Sequence, residues 1–162
     1  MVAYLKKYGA VTRDHGYDIC FIRPGEKRPF GKEWEETKHG PKKLAWAMRT
    51  GKENYGVGIK TKHNPLVDID CYDEDIVAEM IEFTEALCGE TLKRVGMPPK
   101  TGLLYRTDEP FRKVQSQTYL DDEGRRVKCE VLADGQQFVA FHIHPDTKKP
   151  YRWADKESPV RS

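Results

Sequence analysis

What this chain has little of narrows it first. Its 162 residues include four cysteines, at 20, 71, 88 and 129, and no two stand close enough to form a CxxC pair. A zinc knuckle or a dithiol redox centre built from neighbouring cysteines is therefore not expected. Three of the four lie in apolar stretches and read as small buried hydrophobes in a reducing compartment. No apolar run approaches the roughly 20 residues that cross a bilayer, and the opening Met1-Val-Ala-Tyr-Leu-Lys-Lys has no signal-type apolar region. A soluble, cytoplasmic protein is expected. Internal repeats and low-complexity tracts are missing. So is any bias of charge: 28 Lys and Arg against 26 Asp and Glu leave +2, which does not mark a nucleic-acid binder. Any basic groove has to come from uneven placement of those charges.

What remains is an ordinary single domain, residues 1–162. It is polar at 33% charged residues, but its three Trp, eight Tyr and six Phe are too many for a disordered chain. A short helix is expected over residues 2–9, with Leu5 and Tyr8 on one side, and another over 41–48, with Pro41 near its start. The clearest helix is 73–87. Ile76, Val77, Met80, Ile81, Thr84 and Leu87 form its stripe, Asp73, Glu74 and Asp75 sit at its positive end, and Gly89 closes it. Strands are expected at 18–22, 55–60, 66–70, 103–106 and 112–119, with a short last one at Tyr151-Arg-Trp. Residues 127–132 and 137–142 read as a hairpin joined by Ala133-Asp-Gly. The pattern predicts an α+β fold with a mostly antiparallel sheet.

The chemistry centres on Val67-Asp68-Ile69-Asp70. Residues two apart on a strand share a face, with about 7 Å between their Cα atoms, and two carboxylates at that spacing can share a hard divalent cation. The plainer alternative is a turn residue beside an exposed strand residue. Glu130, inside the apolar stretch Lys128-Cys-Glu-Val-Leu132, adds a third carboxylate. Such a group is costly in an apolar strand unless paired or metal-bound; a salt bridge to a Lys or Arg answers that equally well. Three acids on adjacent strands suit a two-metal site. Lys100, Arg106, Lys27 and Arg28 are candidate phosphate binders. His142 and His144 alternate along the last long strand as further candidates for metal or phosphate. Each of these basic residues can also be plain surface charge, and each His a structural one.

These features occur in a recognisable order. Arg23-Pro-Gly-Glu-Lys-Arg-Pro and Trp34 come first, then Asn54-Tyr-Gly-Val-Gly-Ile and Leu66-Val-Asp-Ile-Asp. Pro99-Lys-Thr-Gly-Leu-Leu-Tyr-Arg106 follows, then Glu130 with Asp134-Gly-Gln-Gln-Phe-Val, and finally His144-Pro-Asp with Tyr151-Arg-Trp. From about residue 16 to 153 the chain resembles the bifunctional DNA primase/polymerase domain of phages and plasmids, within the archaeo-eukaryotic primase superfamily. The resemblance implies an RRM-like catalytic sheet, about 61–155, beside a smaller N-terminal α/β part, about 1–60. It implies Mg²⁺ or Mn²⁺ bound by Asp68 and Asp70, with Glu130 as the family's third acid. It also implies template-dependent nucleotidyl transfer on single-stranded DNA from nucleoside triphosphates. Such domains commonly precede a replicative helicase, so the chain can be a fragment of a longer protein. One departure stands out: Gly102 occupies the place of the family's nucleotide-contacting His. Two other functions therefore stay open, a catalytically degenerate module that binds single-stranded nucleic acid or nucleotide, and a metal-dependent phosphodiesterase.

Overall fold

The structure, a computed structural model, describes residues 2–161. It is α+β, with every strand pairing within its two sheets antiparallel among the described residues. Helix α1 (Tyr4–Asp14) runs on past the expected end near residue 9. Gly9 does not stop it, because this buried position lies against Leu44 of α2 (Pro41–Arg49). Strands β1 (Ile19–Ile22), β2 (Gly56–Lys60) and β9 (Gln137–Phe141) make a three-stranded sheet in the order β1-β2-β9. Strand β9 pairs directly with β2, so this sheet draws on both ends of the chain.

The larger sheet holds β3 (Leu66–Asp70), β4 (Leu92–Val95), β5 (Thr101–Leu104), β8 (Arg126–Leu132) and β10 (Arg152–Trp153). Two short strands, β6 (Val114–Gln115) and β7 (Tyr119–Leu120), lie on the outer edge of β8. Its order, β10-β4-β5-β3-β8-β6, contains a split β-α-β unit: β3 and β4 are joined through helix α3 (Glu74–Cys88), with β5 between them. The expected hairpin of 127–132 and 137–142 does not form. β8 pairs with β3 and β9 with β2, so the turn at Ala133-Asp134-Gly135 carries the chain from one sheet into the other. Its turn chemistry was read correctly, but a tight turn fixes a reversal and not the partner of each strand.

Helix α3 starts where expected. The Asp73 carboxylate accepts hydrogen bonds from the backbone N–H of Asp75 (2.9 Å) and Ile76 (3.2 Å), which satisfies two free donors at the helix start. Its Val77 packs with Ile69, Cys71 and Leu103 on the back of the large sheet. The stripe does not hold to its end, since Leu87 is exposed. On the front, Leu92, Leu104, Leu66 and Leu132 lie side by side in register across four strands and close the main core against Phe138 and Phe141.

Candidate functional site

Two residues further along the same face, the side chains change character. Arg94, Gly102, Asp68, Glu130 and Gln115 are direct cross-strand partners, running in that order over β4, β5, β3, β8 and β6. Direct partners share a face, so the register brings Asp68 and Glu130 together from positions 62 apart in sequence, and the i+2 rule adds Asp70. Beside this row opens a cleft of about 280 Å³. Its lining includes Asp68 and Asp70, the cations Lys27, Arg94, Lys100 and Arg126, and His144 and Tyr151.

The three carboxylates meet three different environments. Asp70 is paired twice, with Lys100 Nζ at 2.9 Å and Arg126 Nη2 at 2.5 Å. Glu130 is claimed by Lys128 Nζ at 2.7 Å and Lys113 Nζ at 3.3 Å. Partial burial works against its charge, but these two ammonium groups win and hold its carboxyl below the usual range. The Asp68 carboxylate has neither a hydrogen bond nor an ion pair among the described residues. Burial pushes its carboxyl above the usual range, the charges of Asp70 and Glu130 push the same way, and Arg94 and Lys100 only partly offset them.

Arg94 is the site's other anomaly. Burial lowers its pKa, and no carboxylate forms an ion pair with it among the described residues. Its guanidinium lies 4.9 Å from the centre of the Tyr151 ring and 5.4 Å from that of Phe138, and Nη1 donates to the Val139 carbonyl at 2.6 Å. Its Nε–H has no hydrogen-bond partner among the described residues. A buried cation held in place by rings and a carbonyl, with a donor to spare, is prepared for an anion.

His144 is held in one orientation. Its Nδ1 accepts from the backbone N–H of Asp146 (3.1 Å) and Thr147 (3.4 Å), so in the neutral ring the proton sits on Nε2. Burial, followed by the charge of Lys27, lowers its pKa and keeps it neutral.

The remaining expected site residues fall elsewhere. His142 is buried under Gly56, where any side chain would collide with its ring at 2.4 Å. Its Nε2 donates to the Arg23 carbonyl at 2.9 Å, and it serves the core. Arg28 is exposed outside the cleft. Arg106 lies beyond β5, which ends two residues earlier than expected, and its charge acts on Tyr17. Glu130 shares the face but does not line the cleft. Among the described residues, no three His, Cys, Asp or Glu side chains are placed to hold one ion together.

Two functional candidates escaped the sequence reading. Arg94 sits in Leu92-Lys-Arg-Val, whose pattern is not alternating, so β4 went unrecognised. A split β-α-β unit nevertheless demands a strand between α3 and β5. Arg126 was legible by counting back in twos from Glu130 along β8.

The family model described as bifunctional DNA primase/polymerase, N-terminal, matches residues 10–162. No curated protein matches the chain. No helix among the described residues is long and apolar enough to cross a membrane.

Proposed function

The chain belongs to the bifunctional DNA primase/polymerase N-terminal family, and from that premise we propose that the cleft at Asp68 is its nucleotidyl-transfer site, acting on a DNA template and nucleoside triphosphates. The observation that carries this reading is the state of Asp68: a partly buried carboxylate, crowded by like charges and without an ion-pair partner among the described residues, at the edge of a cleft lined by four cations. A lone carboxylate is costly to bury, and a divalent cation is the simplest group to complete it.

In this reading Asp68 and Asp70 hold Mg²⁺ or Mn²⁺. Asp68 fits with its oxygens free, while Asp70 exchanges its contacts with Lys100 and Arg126 for the ion. When bound, such an ion lowers the pKa of an attacking hydroxyl and neutralises phosphate charge. Lys100, Arg126, Arg94 and Lys27 line the same cleft and would face the triphosphate, where fixed cations stabilise charge that shifts in transfer. The neutral His144 presents Nε2–H as a donor to phosphate oxygen. Gly102 leaves the family's His position without a side chain. Its direct cross-strand neighbour Arg94 supplies a buried donor, which favours substitution of the missing group over loss of function.

The test is primer extension with a templated oligonucleotide, nucleotides and Mn²⁺. Wild type should extend the primer, and Asp68→Asn should lower the rate by about 10³-fold or more, in keeping with loss of several kcal/mol of charge stabilisation. Binding without extension would instead make this a degenerate module, and template cleavage would make it a phosphodiesterase.

A further inference from the structure

Far more positive charge lies in one segment than the net of +2 suggests. Residues 23–52 hold nine Lys and Arg but only four Asp and Glu. Helix α3 carries much of the balance, with Glu74, Asp75, Glu79, Glu82 and Glu85 on the back of the large sheet. Within the basic segment, aromatic rings gather at one place. Phe30 and Trp46 stack with centroids 6.3 Å apart at 21°, and Tyr55 meets Phe30 edge-on at 5.7 Å. All three rings are half-buried and packed on the core.

Three cations converge on these rings. Lys43 Nζ lies 4.1 Å from the centre of Trp46, Lys52 Nζ lies 4.7 Å from the same ring, and Arg23 lies 5.0 Å from Phe30. None of the three is in an ion pair among the described residues, in contrast to Lys60, Lys93, Lys113 and Lys128. Cation–ring contact explains why each lies flat on the surface. It does not explain why three like charges share one patch with no ion-paired acid among the described residues, an arrangement that repels itself until an anion arrives.

The patch also connects to the cleft. The loop from Arg23 to Phe30 has its two ends at the rings and closes on itself through the Ile22–Pro29 bridge. Its middle reaches the cleft, where Lys27 is a lining residue and its carbonyl accepts a hydrogen bond from Gln137 Nε2 at 3.0 Å.

We propose that Phe30, Trp46 and Tyr55, with Arg23, Lys43 and Lys52, form a binding surface for single-stranded DNA, along which the strand continues out of the cleft past Lys27. Cations without an ion pair take phosphates, and rings that exchange their cation cover for a base stack on unpaired bases, the combination that non-specific single-strand binding uses. A duplex offers no free base faces to such a patch. The identity of the strand as template rests on the proposed function of the cleft; the binding itself does not.

The test separates the two. A fluorescently labelled 20-nucleotide oligo-dT is titrated with the full chain across a salt series, without nucleotide or divalent ion. Lys43→Gln/Lys52→Gln should bind several-fold more weakly, with a log–log salt slope shallower by about 0.7 per lysine. Trp46→Leu should weaken binding by roughly fivefold to a hundredfold and leave the salt slope unchanged. Lys93→Gln, on a lysine already paired with Glu85, should bind like wild type. Thermal melts check folding, and should Trp46→Leu fail to fold, the two lysine substitutions decide alone. Three results would overturn the proposal: equal binding by wild type and the lysine variant, no binding by wild type, or equally tight binding of a duplex with the same sensitivity. Failure of primer extension with these binding results intact would sink the nucleotidyl-transfer reading and leave this one standing.

Discussion

Two rows of side chains, two residues apart on one face of one sheet, divide this molecule between stability and function. The first is Leu92, Leu104, Leu66 and Leu132; the second is Arg94, Gly102, Asp68 and Glu130. Strands β4, β5, β3 and β8 contribute one residue to each row. The leucines are covered by Phe138 and Phe141 from the small sheet and by Trp153 of the edge strand β10. The polar row lies where that cover ends, so a step of about 7 Å along the strands passes from closed core to open cleft. The site is thus held on strands anchored in the buried core, and the leucine row sets where each charged side chain starts.

The largest effect should come from breaking the first row. Leu66 is fully buried at its centre, and Leu66→Ala should cost about 2–5 kcal/mol by denaturant unfolding. A cost under about 1 kcal/mol would mean that the two sheets do not depend on this contact. Next comes the joint between the rows. A Cβ at Gly102 would lie 2.9 Å from Cδ2 of the fully buried Leu66, closer than side chains pack without a shift. Gly102→Ala should therefore cost about 1–3 kcal/mol. Combined with Leu66→Ala it should cost less than the two separate losses together, because the first truncation opens the space that the second fills. Simple additivity would show that the rows are mechanically independent.

How much of this was legible in the sequence follows from the same two rows. Strand β3 and helix α3 were readable because local signals agree there: an apolar run ending in Asp-x-Asp, then a capping Asp73 and a periodic stripe. The antiparallel α+β class was legible as well. Pairing was not. The Asp68–Glu130 contact depends on a register between strands 62 positions apart, and the turn at Asp134 suggested a false partner for β8. Arg94 was hidden for a related reason. A four-residue strand with two adjacent charges has no period of its own, and only the topology requires it. His142 and Arg106 lie outside the cleft, which was not legible because a strand pattern tells which residues share a face, not whether that face is covered or where the strand stops.

Within the second row, the smaller effects test why Asp68 and Glu130 differ. Asp68 has its carboxyl pKa raised, first by burial and then by Asp70 and Glu130. A raised carboxyl favours the folded state while it is protonated, and that advantage is lost as pH rises through its folded pKa. In chelator, Asp68→Asn should therefore be more stable than wild type at neutral pH, and the gap should close as pH falls toward the ordinary carboxylate range. Melting curves across that range would check it. A variant less stable than wild type at every pH would mean that Asp68 has a structural partner and is not waiting for a cation.

Glu130→Gln should have the smallest effect and the opposite sign. Lys128 and Lys113 hold Glu130 below the usual carboxylate range, against the opposing pull of partial burial. A depressed carboxyl stabilises the fold above its unfolded pKa and loses that contribution as pH falls through the folded one. The Glu130 side chain is 18% exposed and Lys113 is 34% exposed, so solvent screens the pairs, and the loss at neutral pH should stay within about 1 kcal/mol. The two lysines left behind can turn toward water, which limits the penalty further. Extension in Mn²⁺ should be only modestly reduced, since Glu130 does not line the cleft and its charge is already met by lysine. The measurement that matters is therefore the pair of variants in one assay. If Glu130→Gln abolishes extension as completely as Asp68→Asn, then Glu130 exchanges its lysines for a cation during the reaction, and the electrostatic division between these two neighbours belongs to the metal-free protein alone.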